Sequence, residues 1–184
     1  MRHLRLAIFA SALATLTLVG FRFAGPQATG SGQRAPAVNA QGTDGKTHTI
    51  QSLTRSGSAF FYFVKIGCPV NEPNAKYYDR IAAAYPGRVV GVINGDMNAA
   101  KRWSKQHGGK MVLIPDPNKS LINAFRAERS PWVIEVLPGG AIGQVWSGIS
   151  VKALNEINGA VAKAAKRGTA TIDFQGAPTR LTAG

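Results

Sequence analysis

Two uninterrupted apolar runs constrain this chain more than any other feature. Ala59-Phe60-Phe61-Tyr62-Phe63-Val64 and Val89-Val90-Gly91-Val92-Ile93 are rich in aromatic and β-branched residues. A strand apolar at every position must be covered on both faces, as in the middle of a sheet flanked by helices. Between the runs, Val70, Asn74, Tyr77, Tyr78, Ile81, Ala84 and Tyr85 recur at three- and four-residue spacing until Pro86-Gly87. That pattern predicts a helix and hence a β-α-β unit with parallel strands.

The same reasoning extends in both directions. Thr43-Asp44-Gly45 signals a hairpin within residues 39–53, with Thr47, Thr49 and Ile50 suiting its returning strand. Residues 98–107 form a polar helix carrying Trp103, residues 111–114 a strand and residues 117–125 a short helix. Residues 132–137 and 142–146 read as strands joined by Pro138-Gly139-Gly140, and residues 151–166 as an Ala-rich helix with Val151, Leu154, Ile157 and Val161 on one face. The expected order is a hairpin followed by β-α-β-α-β-α-β-β-α, an α/β three-layer sandwich with a mixed sheet. Residues 168–184 carry few regular signals and read as an irregular tail.

The chain has 184 residues and a net charge of +13, from 22 Lys and Arg against 9 Asp and Glu. The residues before Ala35 carry four of those positive charges, Arg2, Arg5, Arg22 and Arg34, and no acid. A basic start, Met1-Arg2-His3-Leu4-Arg5, precedes an uncharged, mostly apolar stretch from Leu6 to Phe21. Residues 1–24 therefore read as an export signal or an N-terminal membrane anchor, a buried helix being the remaining alternative. Residues 25–34, rich in Gly, Gln and Ser, read as a linker to a domain spanning 35–167. From Ala35 onward the net charge is +9. No aromatic-plus-basic motif or recognition helix accompanies it, so nucleic acid is not an expected partner. Loose attraction to an anionic membrane or cell-envelope polymer is the better reading. Lys101, Arg102 and Lys105 form an ordinary solvated helix face.

One cysteine, Cys68, excludes an intrachain disulfide, a CxxC pair and a cysteine-based zinc cluster. His3, His48 and His107 are scattered, with no metal-ligand spacing, so neither a metal nor another cofactor is called for.

A cysteine between the first central strand and the following helix, in this element order, resembles the thioredoxin-like fold. More closely, the chain resembles the redoxin and thiol-specific-antioxidant (AhpC/TSA-like) branch. Ala35-Pro36-Ala37-Val38 and Asp44-Gly45-Lys46, with Ile50 and Leu53, resemble the opening hairpin. Residues 60–71, ending Gly67-Cys68-Pro69-Val70-Asn71, resemble the strand leading into the active-site cysteine. Arg129-Ser130-Pro131-Trp132-Val133-Ile134-Glu135 followed by Gly139-Gly140 resembles the segment carrying the cis-proline, and Trp146-Ser147-Gly148 precedes the last helix as in that family.

The resemblance implies Cys68 as the reactive thiol and Arg129 as the group that stabilises its thiolate. It implies a cis Ser130–Pro131 bond holding backbone groups open for a substrate peptide. Lys65, three residues before Cys68, adds positive charge if its side chain turns that way, and Trp132 and Trp146 either rim a groove or pack in the core. Pro69, Ser130, Pro131 and Trp132 are thus the candidate substrate contacts. Three departures stand beside this. The second cysteine of a CxxC pair is replaced by Asn71, the position of the buried proton-relay carboxylate falls near Tyr62, and the peroxiredoxin PxxxTxxC signature has Phe61 and Lys65 in place of its Pro and Thr. Pro73 leaves two starts for the helix: at Asn71 as cap, with Cys68 in the loop, or at Cys68 with a kink.

Two classes of function remain. One is an exported redox enzyme working through Cys68 on a protein or small-molecule disulfide, or on a peroxide, with an external thiol as reductant. The other is a non-catalytic thioredoxin-like module that binds peptides or scaffolds a partner.

Overall fold

The computed structural model describes residues 30–184. The two apolar runs form adjacent parallel strands, β3 (Ala59–Val64) and β4 (Val89–Ile93), with Phe60 opposite Val89 and Val64 opposite Ile93. β5 (Val112–Pro115) extends the sheet beyond β4 in parallel. β6 (Trp132–Val136) pairs antiparallel with the other side of β3, and β7 (Ile142–Trp146) antiparallel with β6. The sheet order is β5-β4-β3-β6-β7, so β3 lies at its centre with all six residues buried.

Alternation along β3 divides the core in two. Phe60, Tyr62 and Val64 face α2 (Ala75–Ala84), α3 (Met97–Gln106) and α5 (Val151–Ala164), whose Tyr77, Tyr78, Ile81, Trp103, Leu154 and Ile157 join the same cluster. Ala59, Phe61 and Phe63 face the other layer, where Phe125 follows the short α4 (Ser120–Ala124) and Ile50 opens α1 (Ile50–Thr54). The mixed sheet between two helical layers is the expected thioredoxin-like α/β sandwich.

The opening differs in detail. β1 (Asn39–Gln41) and β2 (Thr47–Thr49) pair as a separate two-stranded sheet, but Ile50, expected to continue the strand, begins α1. The cause is a capping box: Thr49 Oγ1 accepts from the Ser52 N–H at 3.0 Å, and Ser52 Oγ from the Thr49 N–H at 2.9 Å. Expected export residues 1–24 lie outside the described residues, as does the first half of the expected linker. In its second half Gly32 donates to the Ile142 carbonyl and Ile142 to Gln33, and the next residue, Ala35, donates to Gly140, so this stretch pairs with the start of β7 and the turn before it. Among the described residues no helix is long and apolar enough to cross a membrane.

The tail has no helix or long strand, yet it is bonded along its length. Tyr85 Oη accepts from the Ala170 N–H at 2.6 Å, Asn158 donates to the Ala170 carbonyl, and Tyr77 Oη donates to the Gln175 carbonyl. Phe174 packs edge-on against Tyr77. Side chains of α2 and α5 satisfy this backbone, so it leaves no periodic trace in sequence.

Asp116 shows how the connection out of β5 is held. Its buried carboxylate accepts from Ser120 Oγ and from the Ile122 N–H, each at 2.8 Å, and so fixes the start of α4. Asp116→Ala leaves both donors without this partner and is expected to lower stability by about 2 kcal/mol in urea unfolding.

Candidate functional site

Cys68 lies four residues beyond Val64, the carboxyl end of β3, in a turn where Gly67 has a φ of +77°. Two bonds close the turn: the Cys68 N–H donates to the Lys65 carbonyl, and the Gly67 N–H to Glu72 Oε1 at 2.8 Å. The Cys68 carbonyl accepts from the Asn71 and Glu72 N–H groups at 3.1 and 3.2 Å, which makes one turn of helix. That turn cannot continue because Pro73 has no N–H to donate. The chain tightens instead into a 3-10 turn over Glu72–Asn74, and α2 begins only at Ala75. The structure thus lies between the two starts left open by the sequence. Asn71 occupies the cap position of the 3-10 turn, but its side chain makes no cap bond.

Asn71 turns inward. It is fully buried and accepts a hydrogen bond through Oδ1 from the Tyr62 hydroxyl, while its Nδ2 has no hydrogen-bond partner among the described residues. Tyr62 stacks on Tyr78 with ring centroids 4.1 Å apart. Burial, followed by the neighbouring Tyr78 and Cys68, holds the Tyr62 hydroxyl well above the ordinary tyrosine range. Burial does the same to Tyr78. Tyr62 therefore remains neutral and a donor at physiological pH, near the position that the resemblance assigns to a proton-relay carboxylate.

Cys68 is 3% exposed. Its Sγ lies 3.7 Å from the carbonyl oxygen of Ser130. The Ser130–Pro131 peptide bond is cis. Ser130 is itself buried, and its hydroxyl donates to the Phe63 carbonyl at 3.1 Å, tying this loop to the end of β3. Cys68 and Ser130 are thus in contact across 62 residues of sequence. Pro69 is exposed beside the cysteine.

The remaining candidates are arranged less directly. Lys65 and Arg129 are both exposed and line a cavity of about 210 Å³ with Asn94, Lys119 and Ser130, but Cys68 is not part of its wall. Trp132 is half-buried, packs with the Phe61–Phe125 cluster, and its indole N–H is buried without a partner among the described residues. Trp146 is 7% exposed, its ring centroid 6.2 Å from that of Phe60 and its indole N–H donating to Glu156. Both tryptophans take the core alternative rather than the rim of a groove. No group of three metal-ligating side chains occurs among the described residues.

Two features of the site escaped sequence reasoning. The Tyr62–Asn71 bond joins residues nine apart on a strand and a turn, and a buried-strand tyrosine needing a hydroxyl partner was the signal for it. The second is Gly184. Its N–H donates to the Ser130 carbonyl and its carbonyl accepts from the Ser130 N–H, each at 2.8 Å. No local pattern in the sequence announces that pairing.

Because Tyr62 and Tyr78 stay protonated in the fold but ionise near pH 10 once unfolded, the unfolded state binds fewer protons above that pH. Their contribution is therefore constant through neutral pH and turns destabilising above about pH 10, by about 1.4 kcal/mol per pH unit for each tyrosine. Urea unfolding across pH 8–11, compared between the wild type and Tyr78→Phe, is expected to show a shallower alkaline decline in the variant.

The comparisons with known proteins agree with this fold. MTB dsbF is 22% identical over 68% of this chain and 93% of that one, with a TM-score of 0.57. A putative thiol:disulfide interchange protein DsbE from Chlorobium tepidum is 16% identical, over 74% and 98% of the two chains, with a TM-score of 0.63. The bacterioferritin comigratory protein of Xanthomonas campestris, described for alkyl peroxide reduction, is 14% identical over 70% and 92%, with a TM-score of 0.58. No curated protein sequence matches. These likenesses carry the fold; the family comes from residues 31–177, which match the AhpC/TSA family model, and the chain belongs to the AhpC/TSA family.

Proposed function

We propose that this protein is a one-cysteine thiol–disulfide exchange enzyme acting outside the cytoplasm, with Cys68 as its nucleophile. The observation that carries this reading is the contact of Cys68 Sγ with the Ser130 carbonyl, beside backbone groups of Ser130 that already pair with an extended segment. A substrate peptide laid across Ser130 in the same way would bring its disulfide to the thiol. The Cys68 thiolate then attacks one substrate sulfur. A mixed disulfide forms, the substrate S–S bond breaks, and the departing sulfur leaves as a thiolate that takes a proton from water. Asn71 has no thiol to resolve the mixed disulfide, so an external thiol attacks it and restores Cys68.

The other candidate residues fit supporting roles. Ser130 and Pro131 present the backbone that receives the peptide, and Pro69 flanks the thiol. Trp132 anchors the strand that follows. Lys65 and Arg129 make the adjoining cavity electropositive, which favours the thiolate and anionic substrate groups by field rather than by contact. Export rests on the basic-then-apolar residues 1–24, in keeping with the secreted Mycobacterium tuberculosis disulfide oxidoreductase that is 19% identical over 68% of this chain (TM-score 0.55).

The family match supports a second activity on the same sulfur. Attack of the thiolate on a peroxide oxygen breaks the O–O bond, leaves a sulfenic acid on Cys68 and releases an alcohol or water. Two equivalents of external thiol return the sulfenic acid to thiol, releasing water and a disulfide. Exchange is preferred because Arg129 makes no hydrogen bond to Cys68 and the peroxidatic residues before the cysteine are Phe61 and Lys65.

One experiment separates these from a non-catalytic binding module. Turnover with a model disulfide and with a peroxide is measured in the presence of a thiol reductant, alongside the pH profile of Cys68 alkylation. Disulfide turnover that disappears in Cys68→Ser is the expected result. A thiol titrating near 8.5, as free cysteine does, with no turnover of either oxidant would leave the binding module.

A further inference from the structure

The last residues of the described chain follow a path that an irregular tail has no need to take. Beyond Pro178, whose carbonyl accepts from the Val151 N–H, Thr182 forms an antiparallel bridge with Ile149. The two bonds of that bridge measure 2.8 and 2.9 Å. Gly148 lies beneath it with a φ of +137°, and a Cβ built there would approach the Thr182 carbonyl to 2.8 Å. A side chain at 148 would push the segment away. Two residues later Gly184 pairs with Ser130 through both of its backbone groups.

That pairing covers the thiol. A Cβ built on Gly184 would lie 2.9 Å from Cys68 Sγ and 3.4 Å from Val70 Cγ2. Cys68 is 3% exposed although its neighbours Ile66, Gly67 and Pro69 are exposed. The residue over the sulfur is one without a side chain, which permits this close approach. The segment also leaves Leu181, the residue before the Thr182 bridge, 64% exposed.

We propose that residues 179–184 are an intramolecular occupant of the groove across Ser130: they take the place of a substrate peptide and hold Cys68 in a covered state until they are released. This rests on the reading of that groove as a peptide site. Release breaks four backbone hydrogen bonds in two bridges and requires no movement of the sheet. The anchored part of the segment, Phe174 against Tyr77 and Gln175 on the Tyr77 hydroxyl, stays in place as the fixed end of the strap.

The test reads access to the sulfur, not turnover. Iodoacetamide modification of Cys68 is timed at fixed pH in the wild type and in a variant lacking residues 179–184. Far-UV and near-UV circular dichroism and the melting temperature verify that the variant is folded. Removing the segment is expected to raise the alkylation rate by roughly tenfold or more, the effect of abolishing a closed state that must open first. An unchanged rate in a folded variant overturns the proposal.

Gly184→Cys supplies an independent measurement if the shortened chain does not fold. A Cβ to partner-sulfur distance of about 3 Å is what a disulfide requires. Added diamide should therefore take two electrons and two protons from residues 68 and 184 and join them within one chain, as peptide mapping without reductant will read. Failure to form that bond overturns the proposal. Faster alkylation without any turnover would keep the cover and remove the enzymatic reading instead, so the two can fail separately.

Discussion

Burial of β3 on both faces is the constraint on which the rest of the structure depends. Each of its six side chains is enclosed, Phe60 and Tyr62 by one helical layer and Phe61 and Phe63 by the other. A strand so placed needs neighbours on both edges, which β4 and β6 supply in opposite orientations. The parallel partner requires a crossover helix, and the antiparallel partner can arrive from any later point in the chain. The cysteine emerges where β3 ends, between these two neighbours. Its meeting with Ser130 is therefore set by the sheet: Phe63 pairs with Trp132, and Ser130 precedes Trp132 by two residues. The same Phe63 carbonyl receives the Ser130 hydroxyl.

What could be read in the sequence follows from this arrangement. Continuous apolar runs, helical spacing and Pro-Gly stops are local signals, and the strands and the four longer-range helical segments they marked are present within a few residues. The family assignment, made on the order of weak motifs, is met by the model match over 31–177. The first helix was missed because Thr49 and Ser52 cap it reciprocally, a bond between two side chains that strand-forming Thr and Ile residues disguise. The bonds of Gly32 to Ile142 and of Ala35 to Gly140 have no local signal, because each partner is about a hundred residues away. The tail escaped for the same reason: tyrosine hydroxyls and isolated bridges hold it, and neither has a period.

The cysteine turn shows how one residue alters chemistry through backbone geometry. Pro73 interrupts the helix that would otherwise run from Cys68, so the sulfur belongs to a single isolated turn followed by a 3-10 segment. The aligned peptide dipoles of α2 start seven residues after Cys68, and the field of a helix end fades within about one turn. Other sources of charge must then act on the thiol. Lys65 and Arg129 are near in the fold but exposed, where water and salt weaken them. Beneath the turn, Tyr62 and Asn71 form a neutral polar pair in place of an ionisable relay. A site of this construction exchanges protons with solvent or with the substrate, not with a buried carboxylate.

Ser130 joins these parts. Its hydroxyl is bonded to β3, its carbonyl lies against Cys68 Sγ, and its N–H and carbonyl are paired with Gly184. A carbonyl has two lone pairs, so the thiol and the Gly184 N–H can share it. When the tail leaves, the Ser130 backbone loses two partners that water or an incoming peptide must replace, since unpaired polar groups are costly to keep near a buried site. An extended peptide restores the same two bonds. Exchange of tail for substrate then changes the hydrogen-bond count little, and the balance is decided by the side chains on either segment. The tail presents glycine over the sulfur and an exposed Leu181 one residue before the Thr182 bridge. A substrate that buries more apolar surface there than the tail does has the advantage, by about 25 cal/mol for each Å² it covers.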